Sequence, residues 1–175
     1  EAWTRLASTG DTPAPTGRYV VHAGAVYLEG GLDQRAATPP PYTMSRLTLT
    51  ATAAHWTEVP MEGALAAPPY LHGLLPNPSG DGYLSVGGIR GNRVSSGVWT
   101  VDLEAQSLQV IPVDDIPLSG RYGFGFASDP EGGRIIIASG AGLPTGSDPV
   151  NALSDTWSFS IDGGTPRWSE LLPEG

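Results

Sequence analysis

Gly17-Arg18-Tyr19-Val20-Val21-His22-Ala23-Gly24-Ala25-Val26-Tyr27-Leu28-Glu29-Gly30-Gly31 holds two apolar runs, joined through a glycine and closed by a glycine pair. Runs this short, rich in β-branched and aromatic residues and bounded by turn formers, predict strands. The same succession returns twice. Pro69-Tyr70 leads a run ending in Gly87-Gly88, and Gly120-Arg121-Tyr122 leads one ending in Ser139-Gly140. Tyr19, Tyr70 and Tyr122 therefore stand about 50 residues apart, a spacing that belongs to repeat architectures.

Each pass offers four strands. The first has Tyr19 to Gly24, Ala25 to Glu29, Ser45 to Thr50 and His55 to Val59. The second has Tyr70 to Leu75, Tyr83 to Val86, Val98 to Leu103 and Leu108 to Ile111; the third has Tyr122 to Ala127, Arg134 to Ala138, Thr156 to Ile161 and Arg167 to Leu172. No segment shows apolar spacing at i, i+3, i+4 and i+7, so almost no helix is expected. Four short strands per unit at this period predict an all-β chain built as a β-propeller section. Residues 11–62, 63–113 and 114–175 are its three blades, and residues 1–10 are the outer strand of a preceding blade. The glycine pairs suit a backbone that turns with positive φ or passes close to a neighbour. A Trp in the last strand suits the wedge between blades, where a large flat side chain fills space.

The chain resembles the kelch repeat. Gly30-Gly31 and Gly87-Gly88 match its double glycine, with Ser139-Gly140 as a variant. Trp99-Thr100-Val101-Asp102 and Asp155-Thr156-Trp157-Ser158-Phe159 match its third strand, and Trp3, Trp56 and Trp168 its fourth-strand tryptophan. Pro69 departs from Arg18 and Arg121, Leu47 stands for the Trp of Trp99 and Trp157, and Leu108 for the fourth-strand Trp. The resemblance implies a propeller of five to seven blades, more than three passes supply. Trp3 to Leu6 is a fourth-strand segment without the three strands that precede it. A bare strand edge and open blade faces demand partners, so further blades are expected from a partner chain, another copy or a cleaved remainder.

Composition narrows the classes. The formal net charge is −9 and all nine basic residues are arginine, a surface that repels phosphate backbones and excludes nucleic acid as a partner. No apolar run approaches a membrane span. Cysteine is absent, which removes disulfides, thiolate metal sites and the cysteine-dependent copper chemistry of kelch-fold oxidases. Richness in Ala, Gly, Pro and Arg without Lys points to a bacterial source, and a start at Glu1 without Met to a processed product, a mature secreted or cell-envelope chain or an excised piece.

Candidate ligand-binding residues are Arg18, Arg121, His22, His72, Tyr19 and Tyr122. A pair of arginines at a propeller mouth suits a carboxylate or phosphate through bidentate bonds, although a residue repeated in every unit more often satisfies carbonyls of its own unit. His22 and His72 fall at similar places in adjacent first strands, where two imidazoles and a third ligand suit a transition metal; ordinary packing is the simpler reading. Asp148, Asn151 and Asp155 in the 146–155 loop offer Ca²⁺ ligands, against the simpler reading of turn formers. Asp114-Asp115 precedes a Pro-rich turn and faces solvent. No catalytic residue and no cofactor is expected. Loops Leu32 to Thr43, Ile89 to Ser96 and Ala141 to Ser154 are where a partner is met. The function expected is a non-catalytic module for protein–protein interaction or assembly. The alternative is part of a propeller enzyme acting on sugars, with an axial site drawn from several blades, Arg18, Arg121, His22 and His72 among them.

Overall fold

A computed structural model describes residues 5–11, 13, 17–31, 42–63, 69–78, 80–90, 93–114, 116–143 and 151–172. The chain is all-β: among the described residues there is no helix. The first five strands, β1 (Ala7–Gly10), β2 (Arg18–His22), β3 (Ala25–Glu29), β4 (Thr43–Leu49) and β5 (Ala53–Pro60), form sheet 1 in the order β1-β5-β4-β3-β2. Next come β6 (Pro69–Tyr70), β7 (Gly73–Pro76), β8 (Tyr83–Val86), β9 (Ile89–Arg90), β10 (Arg93–Val94), β11 (Val98–Asp102) and β12 (Ser107–Ile111). Of these, β12-β11-β8-β7 make sheet 2, and β10-β9-β6 a small separate ribbon. The last six are β13 (Gly125–Asp129), β14 (Arg134–Ala138), β15 (Ala141–Gly142), β16 (Asn151–Ala152), β17 (Thr156–Asp162) and β18 (Thr165–Glu170). Sheet 3 runs β13-β14-β17-β18, and β15 pairs with β16 alone.

Each of the three sheets contains an up-and-down antiparallel meander of four strands. Tight turns make this possible. Ala23-Gly24 joins β2 to β3 with φ of 47° and 76°, and Gly163-Gly164 joins β17 to β18 with 56° and 85°. Positive φ at both central residues matches the right-handed twist of the flanking strands. The sheets stand side by side, with β7 packed between β2 and β13.

Burial follows from that order. In β3, Ala25, Tyr27 and Glu29 are buried in alternation, and in β14, Ile135 and Ile137, as expected of strands with unequal faces. All four residues of β8 are buried, because sheet 2 is covered on both sides. One face of sheet 2 (Leu74, Tyr83, Trp99, Val101, Leu108) packs on Val20, Tyr27, Met44 and Val59 of sheet 1. The other (Leu75, Leu84, Val86, Val98) packs on Ile135, Ile137, Trp157, Phe159 and Trp168 of sheet 3. Each fully buried aliphatic or aromatic side chain here stabilises the fold by about 1.5–3 kcal/mol.

Pairing register revises two expected equivalences. Arg18, Gly73 and Gly125 occupy one position, opposite Glu29, Val86 and Ala138. Tyr19 therefore corresponds to Leu74 and Phe126, while Tyr70 and Tyr122 lie three residues ahead of their first strands. Arg18 and Tyr19 of the first pass sit inside β2, whereas Arg121 and Tyr122 precede β13 by four and three residues. Likewise Ser45, opposite Leu28, holds the position of Trp99 and Trp157; Leu47 corresponds to Val101 and Phe159. Trp56, Leu108 and Trp168 share one position, opposite Leu47, Val101 and Phe159.

The N-terminal segment adds a pairing that alternation does not reveal. Trp3 lies outside the described residues, and the strand after it, β1, runs parallel to β5 along the outer edge of sheet 1. Its counterpart follows Trp56 at the same spacing: Glu62 forms a parallel bridge with Ser107, its N–H donating to Gln106 O (2.7 Å) and its carbonyl accepting from Leu108 N–H (2.8 Å). Gly10 and Gly63 both have positive φ, 86° and 73°, and a Cβ on either would run into a backbone carbonyl of the neighbouring outer strand, Trp56 or Leu108. Only glycine combines that conformation with that approach.

Candidate functional site

The residues nominated for a shared axial site are held apart. Arg121 is fully buried, and its guanidinium forks onto Asp155 with two 2.8 Å bonds, Nη1 to Oδ1 and Nη2 to Oδ2. Nη1 also donates to Ser139 O at 3.0 Å. Asp155 accepts Trp157 Nε1 at 2.6 Å as well. The hydrogen bond from Arg121, joined by that from Trp157 and by the guanidinium charge, holds the Asp155 carboxyl down at about 2, against its partial desolvation. Arg121 thus ties the lead-in of sheet 3 to its own third strand.

Arg18 does something different. It opens β2, donates from Nε to His72 O (2.8 Å), and lays its guanidinium over the Phe126 ring at 5.3 Å. One side chain from sheet 1 therefore reaches both other sheets, combining a charge-assisted bond with a cation–π contact. Tyr19, 71% exposed, points to the outer face of sheet 1, and Tyr122 bridges Ala141 through backbone bonds.

The two histidines lie at different stations. His72 precedes β7, in the position of the buried Phe124, and His22 ends β2. His72 Nε2 meets Glu29 Oε2 at 3.1 Å, with both side chains fully buried. Tyr42 OH donates to Glu29 Oε1 at 2.6 Å. Beside them Arg90 stacks on Trp99 at 3.8 Å and donates from Nη2 to Ser85 Oγ (3.0 Å). Burial pushes the Glu29 carboxyl up, but His72, by charge and hydrogen bond, together with the Arg90 charge and the Tyr42 hydroxyl, leaves it below the usual carboxylate range. Burial, then the Glu29 charge, drives the Tyr42 phenol far up, so it remains a neutral donor. This polar knot sits between sheets 1 and 2 and fixes their relative register. Glu29, Tyr42 and Arg90 escape a sequence reading; the one signal is a carboxylate ending an apolar strand just before the glycine pair.

His22 stands at the other end of the same inter-sheet seam, edge-on to the rings of Tyr27 and Tyr83 with centroids 6.2 and 6.0 Å away. Its Nε2 is 3.9 Å from Glu104 Oε1. It borders a cleft of about 520 Å³ shared with Tyr83, Asp81, Asp102 and Glu104. Asp102 Oδ1 is taken by the N–H groups of Glu104 and Ala105.

The proposed Ca²⁺ set divides as well. Asp148 lies outside the described residues, Asn151 pairs with Gly142 in the β15–β16 ribbon, and Asp155 is bound by Arg121. Among the described residues no group of three or more His, Asp or Glu side chains is placed to hold a metal ion.

The glycine pairs join one unit to the next. Gly31 N–H donates to Pro69 O (3.0 Å) and Gly88 N–H to Arg121 O (2.8 Å), so Pro69 and Arg121 hold equivalent positions. All four glycines have positive φ, as do Ser139 (60°) and Gly140 (105°) in the third unit. The expected loop Ile89 to Ser96 contains β9 and β10, and Ala141 to Ser154 contains β15 and β16, while 32–41 lie outside the described residues. Compared with known proteins, the chain matches no family model and no curated relative.

Proposed function

We propose that the chain is a section of a kelch-type β-propeller that works as a binding and assembly module. The observation that carries this reading is the way successive units are joined. Four-stranded meanders stand side by side through their first strands, the glycine pairs of the first two units bond to the lead-in of the next unit, and β1 and Glu62 each lap onto an outer strand, β5 and β12. Such joints repeat indefinitely and leave end units with uncovered faces, which in a folded protein mark interaction surfaces. The polar residues support it too: Glu29 and His72 are committed to holding sheets 1 and 2 together, and Arg121 and Asp155 to bracing the third unit internally. Further blades come from a partner chain or another copy, and the ribbons and loops beyond the glycine pairs are the contact surface for a protein ligand.

The test is the mass of the purified particle by native mass spectrometry and light scattering. A particle larger than one chain, or one that takes up a second polypeptide, is expected. A stable monomer at all concentrations, with no apolar dye bound, would overturn the reading.

A further inference from the structure

The outer face of sheet 1 carries Tyr19, Val21, Leu28, Leu47, Leu49 and Trp56 on one side by strand register. Tyr19, Val21 and Leu49 are 71%, 66% and 56% exposed. Register pairs most of these residues with positions that are covered elsewhere, Val21 with Pro76 and Ser128 being the exception. Tyr19 corresponds to Leu74, Leu28 to Ile137, Leu47 to Val101 and Phe159, and Trp56 to Leu108 and Trp168, all buried. In sheets 2 and 3 the cover is the forward face of the preceding sheet. We propose that the outer face of sheet 1 is a docking surface for a fourth four-stranded meander, the unit that leads into β1, whose forward face carries medium-sized apolar side chains.

The occupant is identified by continuity with joints already present. Glu62 follows Trp56 and laps onto β12 while sheet 1 covers sheet 2; β1 follows Trp3 at the same spacing and laps onto β5. Gly10 and Gly63 serve both laps in the same way. At the joint of sheets 1 and 2 the lap accompanies a covering sheet, whereas sheet 2 covers sheet 3 with no lap on β18 among the described residues. A second copy of the chain fits less well. Its free forward face, on sheet 3, carries Ala127, Ile136, Ala138, Thr156, Ser158 and Ser169, smaller and more polar than the Leu75, Leu84, Val86 and Val98 of sheet 2. The β5 edge that a copy would have to lap is also already taken by β1.

The inference rests on the propeller-section reading and is tested apart from it. Residues 63–107, ending just before the Leu108 that Trp3 corresponds to, are inserted ahead of Trp3 in the full chain. The insertion supplies three strands with the forward face of sheet 2. Hydroxyl-radical oxidation of Tyr19 is compared with that in the original chain, and particle mass is followed in both. Expected is a severalfold slower oxidation of Tyr19 in a monomeric extended chain. A folded extension with Tyr19 oxidised as before overturns the docking surface and leaves the array of units standing. An original chain that dimerises and protects Tyr19 makes a second copy the occupant and also overturns it. Tyr19 already protected in a monomeric original chain removes both readings. Gly10→Val in the original chain gives a measurement independent of how the extension folds: faster amide exchange along β5 with β12 unchanged is expected, and equal exchange overturns the lap.

Discussion

The two end sheets are built from the same meander, yet they present opposite surfaces. Sheet 1 turns large apolar side chains outward, Tyr19, Val21 and Leu49, and the sheet 2 counterparts of Tyr19 and Leu49, Leu74 and Leu103, are buried. Sheet 3 turns out Ala127 and Ser169 beside the half-buried Ile136 and the small, buried Ser158, with no exposed large hydrophobic on that face. The same fold therefore separates position from burden. A residue contributes to stability only where a neighbouring sheet covers it, so sheet 1 awaits cover for its apolar side chains and sheet 3 needs little.

The sharpest way to break that comparison is to remove matched side chains. Phe159, fully buried against Trp168, is expected to cost about 3–5 kcal/mol as Phe159→Ala in urea unfolding. Its counterpart Leu47 has no covering sheet, so Leu47→Ala should cost far less, within about 1 kcal/mol. Equal losses would mean that the outer face of sheet 1 is already packed.

Next in size is the polar knot on the covered face of sheet 1. Glu29→Gln removes the charge that His72 and Tyr42 address and should cost about 3 kcal/mol, measured by urea midpoint. A neutral result would show that the seam between sheets 1 and 2 is held by its apolar residues alone.

Acid reports on the seam between sheets 1 and 2 through Glu29 and on the internal brace of the third unit through Asp155. Asp155 and Glu29 have folded-state pKa values below their ordinary ones, so their stabilisation is complete above the unfolded carboxylate range, near pH 4. It is lost as pH falls through that range, and for Asp155 until about 2. Stability should decline below about pH 4.5. Arg121→Lys, which replaces the fork with a point charge, is expected to cost about 1–2 kcal/mol at pH 7 and to flatten that decline. An unchanged acid profile in the variant would assign the effect to Glu29.

The smallest expected effect is a gain. Ser139 holds the first glycine position of its unit at φ 60°, a left-handed conformation that costs a side chain about 1 kcal/mol. Ser139→Gly should return about that much in the same assay. A loss instead would mean that the third unit relies on the serine side chain.

Much of this was legible in the sequence, and the rest was hidden for identifiable reasons. Strand positions show because alternation and turn formers act locally; each of the twelve expected strands overlaps one of the meander strands. Register does not show, because it is set by pairing across strands. Arg18 and Arg121 read alike in Gly-Arg-Tyr, yet one lies within β2 reaching to His72, while the other precedes β13 and binds Asp155. Spacing along the chain sets Leu47 in the place of the missing tryptophan, whereas pairing with Leu28 puts Ser45 there. Glu29 reads in the sequence as the end of an apolar run, since a buried carboxylate is specified by partners 13 and 43 residues away. The β9–β10 and β15–β16 ribbons are too short to leave a period of their own.

The lap of Glu62 on β12 changes what a cut in this chain would do. Pro60 ends the outer strand of sheet 1, and Gly63 closes the lap, so a protease acting between Glu62 and β6 severs no strand of either sheet. It does free the peptide that guards the outer edge of sheet 2. The exposed N–H and C=O groups of β12 would then be open to any extended segment nearby. Connecting segments in this fold thus double as edge guards, and trimming one turns an inert rim into an adhesive one.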